Sequence, residues 1–181
     1  SDLLYPPGKK YPLRWERMET GGRSPQQEVY RLPAMSNRET ETLLECCRIC
    51  RMALNDTPQP YIIPLDYVYV RGKLYFHFAN YGRKVELFRK DHHVSVEADR
   101  FNADITEYES VTLMGTLAEV TDPAEKRMAS AALMDSIGSR DGKSSAAARH
   151  GYSDLDLDIL SSKGSLVLRL DVTDFVALKS P

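Results

Sequence analysis

The sequence has no long apolar segment: no uninterrupted apolar run in its 181 residues exceeds four. A transmembrane helix needs about 20 predominantly apolar residues, so no membrane span is predicted. Positive charge is not in excess either, because 24 Lys and Arg residues face 26 Asp and Glu residues, giving a formal net charge of −2. This balance argues against a protein whose main task is to bind nucleic-acid phosphates.

Cysteine is scarce, and the three cysteines Cys46, Cys47 and Cys50 lie close together. They are too few for a disulfide framework and suit a reducing compartment. No apolar core of a secretory signal is present near the start, so a cytoplasmic protein is predicted. Cys47 and Cys50 lack a second ligand pair at metal spacing, so no metal site is predicted.

Several catalytic signatures are also missing. The sequence contains neither the G-x-S-x-G elbow of many hydrolases nor the G-x-G-x-x-G fingerprint of dinucleotide-binding proteins. Residues 138–144 resemble a nucleotide P-loop, but they have one residue too few between the glycines and follow a predicted helix rather than a strand. These absences exclude the common hydrolase, zinc and dinucleotide interpretations.

Residues 1–35 are rich in proline and glycine, which forbids long helices or strands there. This segment also holds the only tryptophan, Trp15. We predict an irregular N-terminal arm over residues 1–35 and a folded domain over residues 36–181.

The domain begins with a capping box, in which Ser36 precedes Glu39 by three residues and a helix is predicted to about Cys47. About six strands follow, several of them joined by tight turns. They are predicted at residues 49–54, 61–70, 73–79, 94–98, 109–120 and 165–178. Between them we predict short helices at residues 82–90 and 122–137, a polar loop at residues 139–152, and a helix that opens at Ser153. This pattern indicates an α+β, mainly β domain whose antiparallel sheet curls into a small barrel.

Two local features point to a ligand. Pro64 lies within a predicted strand, where it cannot donate to a neighbouring strand and so marks an edge, a bulge or an approaching ligand. Gly82 ends another strand and is followed by Arg83 and Lys84 at the start of a helix. A helix N-terminus attracts anions, and cations there oppose the helix dipole unless a ligand compensates them. Phosphate binding at Gly82–Lys84 and simple surface decoration are both open interpretations of these residues alone.

A series of moderate matches, taken in order, resembles one family. The matching runs are PLDYVY at residues 64–69, GKLYFH at 72–77, GRK at 82–84, VSVEAD at 94–99 and ESVTLMG at 109–115. Together they resemble the FMN-binding split barrel of the pyridoxamine 5'-phosphate oxidase-like proteins, and most of all the nitroimidazole-resistance (Nim-like) branch. The resemblance implies a six-stranded antiparallel split barrel with short peripheral helices, which forms a homodimer with FMN in a groove between the subunits.

The resemblance also assigns roles to individual residues. The flavin ring would be lined by Pro64, Leu65, Asp66 and Tyr67, and the ribityl chain would be bordered by His77 and Phe78. The phosphate would be held at the helix start by Gly82, Arg83 and Lys84. The strand that contains Ser110 and Val111 would come from the other subunit. His77 is also the candidate to position or protonate a substrate, although a histidine bonded to a strand neighbour is the plain alternative.

Two departures from the family pattern qualify these roles. Asp66 stands where relatives commonly carry a neutral Asn, and a carboxylate there would resist negative charge on a reduced flavin. The chain also ends without the arginine-containing tail with which the pyridoxamine phosphate oxidases bind substrate phosphate, which disfavours that reaction.

The expected function is therefore an FMN-dependent oxidoreductase that reduces nitro or similar small electron-poor compounds with electrons from a nicotinamide donor. A haem-binding split-barrel protein, with His77 as a possible ligand, is one alternative. A non-enzymatic flavin-binding or sensing domain is another. No metal, nucleic acid or membrane is expected as a partner.

Overall fold

The computed structural model describes residues 31–149 and 164–181, and the side chains within these ranges except at 137–149. Ten elements follow one another in chain order. They are α1 (Asn37–Cys46), β1 (Ile49–Leu54), β2 (Tyr61–Asp66), β3 (Val68–Val70), β4 (Lys73–Ala79), α2 (Arg83–Lys90), β5 (His93–Phe101), β6 (Tyr108–Glu119), α3 (Pro123–Arg149) and β7 (Ser165–Lys179).

The seven strands form one antiparallel sheet in the order β2-β1-β5-β6-β7-β4-β3. The two edge strands, β2 and β3, are separated in sequence only by Tyr67. Two edges joined by a single residue must lie side by side, so the sheet curls round on itself. The predicted mainly β, antiparallel, barrel-like fold is confirmed. The strand count is seven rather than six, because the predicted strand at residues 61–70 breaks at Tyr67 and its halves pair at opposite edges.

The inside of the curl holds the main core, formed by alternate residues of β1, β4, β5 and β6 together with α1 and α2. Met52, Leu74, Phe76 and Leu168 are among its fully buried side chains. Burial of such side chains contributes about 1.5–3 kcal/mol each. A second, smaller cluster lies on the outer face of β4 and β7, where Tyr75 packs beneath α3.

Strand β7 bridges the two parts of the sheet, because it pairs with β4 through its first residues and with β6 along most of its length. The β6–β7 register shifts between Met114 and Gly115. A Cβ added at Gly115 would lie 2.2 Å from the backbone oxygen of Asp171. Only glycine therefore allows the two strands to approach at this irregularity.

The helices begin where the sequence predicts, but α3 ends later than predicted. Ser36 and Glu39 form the predicted capping box of α1, and Gly82 precedes α2 as expected. However, α3 continues to Arg149, through the residues 139–149 that were predicted to be loop. The predicted helix at Ser153 and most of the predicted arm lie outside the described residues. Of the helices that the structure describes, none combines the length and apolar character that a membrane crossing requires.

Candidate functional site

The N-terminus of α2 is open. Gly82, its N-cap, has φ 89° and ψ 172° and supplies no side-chain cap. Its carbonyl accepts from the amides of Val85 and Glu86, which leaves the two preceding amides, of Arg83 and Lys84, without a cap. A Cβ built at Gly82 would meet nothing within 4 Å. The segment therefore presents backbone amides and free space, the arrangement in which helix termini bind phosphate groups.

The two cations at this terminus differ. The exposed Arg83 guanidinium forms an ion pair with the Asp56 carboxylate and lies 4.9 Å from the centre of the Tyr61 ring. The half-buried Lys84 ammonium lies 4.8 Å from the centre of the Phe78 ring, and burial lowers its pKa. Among the described residues, Lys84 forms no ion pair. Lys84 is thus the cation whose charge is available to an anion.

Edge strand β2 lies next to this terminus, because Tyr61 is its first residue. Tyr61, Ile63 and Leu65 pack against the core. Since side chains alternate along a strand, Pro64 and Asp66 point to the outer face. Pro64 is exposed and Asp66 is half-buried. Of the three interpretations of Pro64, an edge strand, a bulge or an approaching ligand, the sheet order shows the edge strand, and the approaching ligand stays a prediction. Of the predicted β2 set, Pro64 and Asp66 are the side chains that face outward.

Three other predicted site residues contribute their side chains to the core. Phe78 and Val111 are fully buried, and Tyr67 is 2% exposed. The Tyr67 hydroxyl donates to the carbonyl oxygen of Leu44 at 2.9 Å, and burial raises its pKa. Because these side chains are buried, the predicted ligand contacts would have to come from their backbone atoms. For Phe78, the contact of its ring with Lys84 is a second route. The binding roles of all three residues stay predictions.

His77 lies on the opposite face of β4 from Phe78, because the two are consecutive in a strand. Its Nε2 lies 2.6 Å from Oγ of Ser165, which is 3% exposed. The two side chains therefore cannot both border the same part of a ligand. The bonded strand histidine, the plain alternative for His77, is what the structure shows, and a catalytic role for it stays a prediction.

Ser110 lies on the outer face of β6, half-buried. In the sheet order, β1 and β5 separate β6 from β2. Three strand spacings amount to about 14 Å, so Ser110 and Asp66 of one chain do not meet. The structure brings Tyr61, Phe78 and the α2 N-terminus together and leaves Ser110 apart from them.

Sequence reasoning missed Asp56 and Tyr61, which hold Arg83. Asp56 lies in a turn and Tyr61 at a strand start, and neither shows a motif that links it to a helix more than 20 residues later in the sequence. It also missed a network at the α3 N-terminus, where Glu125 accepts from the Tyr75 hydroxyl at 2.8 Å and pairs with Arg169 at 3.0 Å. These bonds, from Tyr75 first and Arg169 next, lower the pKa of Glu125.

Three open cavities accompany these features. One of about 320 Å³ lies beside Tyr75 and Glu125, one of about 370 Å³ lies between α1, β3 and α3, and one of about 450 Å³ lies at the end of the β5–β6 hairpin. None of the three is lined by Gly82, Arg83 or Lys84.

Solved structures with this fold include a FAD-binding protein from Mesorhizobium loti, with 22% identity, a TM-score of 0.58 and coverage of 83% of this chain and 99% of that one. A proposed 5-nitroimidazole antibiotic resistance protein from Bacteroides thetaiotaomicron has 17% identity, a TM-score of 0.60, and coverage of 82% and 90%. A FAD and haem binding protein from Mycobacterium smegmatis has 17% identity, a TM-score of 0.60, and coverage of 80% and 71%. Such identities show a shared fold.

No curated protein sequence matches the chain. The sequence profile of the family described as pyridoxamine 5'-phosphate oxidase matches residues 36–163, which include the capping box of α1, all of β1 to β6 and the α2 N-terminus. Because this match covers more than half of the chain, the protein belongs to the pyridoxamine 5'-phosphate oxidase family.

Proposed function

We propose that the protein is an FMN-binding oxidoreductase that reduces small electron-poor compounds, such as nitro compounds, with a nicotinamide donor. The observation that carries the proposal is the open α2 N-terminus beside Lys84. A half-buried ammonium without an ion pair among the described residues loses hydration, and a phosphate would restore a charge partner. The uncapped amides and the open space at Gly82 fit the same group. Two of the similar structures are named as FAD-binding proteins, which supports a flavin.

The chain's own residues would bind and orient the cofactor. Lys84 and the first α2 amides would hold the terminal phosphate, and Arg83 would add charge when it shares its guanidinium between Asp56 and the ligand. Pro64 and Asp66, on the outer face of β2, would border the ring. Pro64 has no N–H, so the β2 backbone beside it offers acceptors without a competing donor.

The flavin, when bound, would supply hydride transfer. For a nitro acceptor the balance is one nitro compound, one reduced nicotinamide and one proton giving a nitroso compound, oxidised nicotinamide and water. No side chain is required as an acid or base for this exchange if solvent supplies the proton. His77 would act, if at all, as a polar neighbour that is held in place by Ser165.

We further propose a homodimer with the cofactor between subunits. Ser110 lies about 14 Å across the sheet from Asp66, so both would border one ring only if they came from different copies. Exposed apolar side chains on β7, Val172 at 44% and Val176 at 50%, offer surface that a second copy would cover. The unpaired cysteines are consistent with the cytoplasm as the location.

The absorption spectrum of the purified protein tests the flavin proposal. We expect a yellow protein that releases FMN on denaturation, identified by chromatography against FAD. A colourless protein that does not bind added FMN would overturn the proposal. Sedimentation of the loaded protein tests the dimer, and a flavin-loaded monomer would contradict it.

Two alternatives remain distinct from this proposal. A flavin-binding sensor would bind FMN without turnover by nicotinamide and a panel of acceptors. Haem binding is named for one of the three structures described above. Of the described histidines, however, His77 contacts Ser165, His92 stacks on Phe88 and His93 bonds Asp91, and none of them lines one of the three cavities described above. A Soret band on haem titration, lost in His77→Ala, would favour haem.

A further inference from the structure

The largest of the three cavities lies at the end of the β5–β6 hairpin, with a volume of about 450 Å³. This volume lies within the range of small-molecule sites. Phe101 and Tyr108 line it and are directly opposite each other in the strand register. Phe101 is 58% exposed, so the cavity presents an aromatic surface that the described part of the chain leaves largely uncovered.

The aromatic pair shares a face with Ser110. Tyr108 precedes Ser110 by two residues in β6, and residues two apart in a strand point the same way. Two residues of strand are about 7 Å. If Ser110 borders the cofactor of a second copy, Phe101 and Tyr108 lie on the same face about 7 Å from that contact, so a compound that stacks on the aromatic pair would be next to the same cofactor.

Both cations that line the cavity are already paired with carboxylates. Arg100 pairs with Glu109 at 2.6 Å, and Lys179 pairs with Glu39 at 2.6 Å. Glu107 adds a further carboxylate to the lining. An anionic ligand would meet carboxylates and no uncompensated cation, whereas a neutral ring would stack on the aromatic pair without disturbing an ion pair.

We propose that the cavity at the end of the β5–β6 hairpin is the acceptor site, specific for uncharged planar aromatic compounds, with Phe101 and Tyr108 as the specificity-determining residues. This assignment rests on the proposed function, because the acceptor site is placed by the cofactor contact of Ser110. It separates the protein from relatives that oxidise a phosphorylated vitamin, since a phosphate ester would be rejected here.

Calorimetric titration of the full chain with nitrobenzene and with para-nitrobenzoate tests the assignment, with and without bound flavin. We expect nitrobenzene to bind more tightly than the anion. Phe101→Ala should weaken nitrobenzene binding by about three- to tenfold, raise KM for a neutral nitro acceptor, and leave flavin affinity and the melting temperature unchanged.

Ile105→Ala is the matched control, because Ile105 is 64% exposed in the same hairpin turn and does not line the cavity. Its nitrobenzene affinity should equal that of the parent. Tighter binding of para-nitrobenzoate, equal effects of the two variants, or no effect of Phe101→Ala would overturn the assignment. A chain that binds nitrobenzene through Phe101 but holds no flavin would overturn the proposed function and leave the aromatic site standing.

Discussion

The N-termini of α1 and α2 differ in whether side chains of the protein satisfy the free backbone amides of the first helical turn. At α1, the amide of Glu39 donates to the Ser36 hydroxyl and the Glu39 carboxylate accepts from the Ser36 amide at 2.7 Å. Lys179 completes that cluster with an ion pair. At α2, Gly82 caps nothing and two cations follow it. The first terminus is capped within the chain, whereas the second has no side-chain cap, and under the proposed function an anion would take that place.

The start of α3 resembles α1 rather than α2. Asp122 accepts from the amide of Glu125 at 2.7 Å, and Glu125 is held by Tyr75 and Arg169. All three described helices carry an acidic residue in the first turn, which matches the helix dipole. Only α1 and α3 also have a side chain that accepts from a backbone amide of the first turn. The contrast is therefore that α2 lacks a capping side chain, which makes it the helix start where the proposed phosphate would have its largest effect.

The largest effect is expected from Lys84→Ala, which removes the one cation of the α2 terminus that has no ion pair among the described residues. FMN affinity should fall by about 1.5–3 kcal/mol, roughly 10- to 150-fold, the range for a charge-assisted contact. Fluorescence titration with FMN measures it. Lys90→Ala, at the other end of the same helix, is the control and should leave affinity unchanged. Equal affinity of Lys84→Ala and the parent would place the phosphate elsewhere.

Gly82→Ala tests the backbone of the same terminus. At φ 89° and ψ 172°, a residue with a Cβ costs about 1–3 kcal/mol of folding stability through strain, although the added carbon would meet no neighbour. Urea denaturation measures the change. The control is Gly72→Asn, in a tight turn with φ 77°, where Asn is tolerated. A stability loss at position 72 but none at position 82 would contradict the account.

Glu125→Gln removes the carboxylate that pairs with Arg169 at the start of α3. We expect a loss of about 1–2 kcal/mol in the free energy of unfolding, because Arg169 would lose one of its two carboxylates while Asp171 still holds it. Flavin affinity should not change. Glu119→Gln, an exposed glutamate at the end of β6, should be neutral by the same denaturation assay. If the two variants were equally stable, the bonds of Glu125 to Tyr75 and Arg169 would not contribute to folding stability.

Ser36→Ala should leave the N-terminus of α1 without a side-chain cap, as the N-terminus of α2 is. Loss of an N-cap hydroxyl costs about 1 kcal/mol, measured by thermal unfolding, and Asn37→Ala beside it serves as control. FMN affinity should be unaffected in both variants. A change in affinity with Ser36→Ala would show that the two termini are not independent.

The smallest expected effects come from pH. In both cases stability rises with pH, but the charged form stabilises the α1 terminus and destabilises the unliganded α2 terminus. Hydrogen bonds from Lys179 and Ser36 lower the pKa of Glu39 to about 2. This stabilisation is present above the ordinary pKa of a glutamate and is lost as pH falls toward 2. Glu39→Gln should flatten the acid limb of a stability–pH profile.

At α2 the charged form is the unfavourable one, because burial lowers the pKa of Lys84. Protonated Lys84 disfavours the unliganded fold, so stability without ligand should rise as pH increases from its folded pKa toward the ordinary lysine value. FMN affinity should fall over the alkaline range as the charge is lost. An affinity that is flat up to the ordinary lysine value, with Lys84→Ala behaving the same, would contradict the role of Lys84.

Much of the fold followed from local chemistry. The capping box at Ser36, the glycine stop at Gly82 and the alternation of Val94, Val96 and Ala98 are patterns of a few residues, and each appears where the sequence places it. The end of α3 did not follow, because a helix can propagate through Gly138 and Gly142 at about 1 kcal/mol each when its other residues favour it.

The sequence by itself determined most strand segments, the open helix start and the family, because these depend on residue type and short spacing. The break of the predicted strand 61–70 at Tyr67 needed the closed sheet. Only the tertiary structure decided which of the predicted site residues turn their side chains into the core and which do not. Tyr67 and Phe78 went to the core while Pro64 and His77 did not, since alternate residues of a strand take opposite faces and only the closed sheet defines its inside. Pairing of Arg83 with Asp56 likewise needed the fold, because it joins residues that no short motif connects.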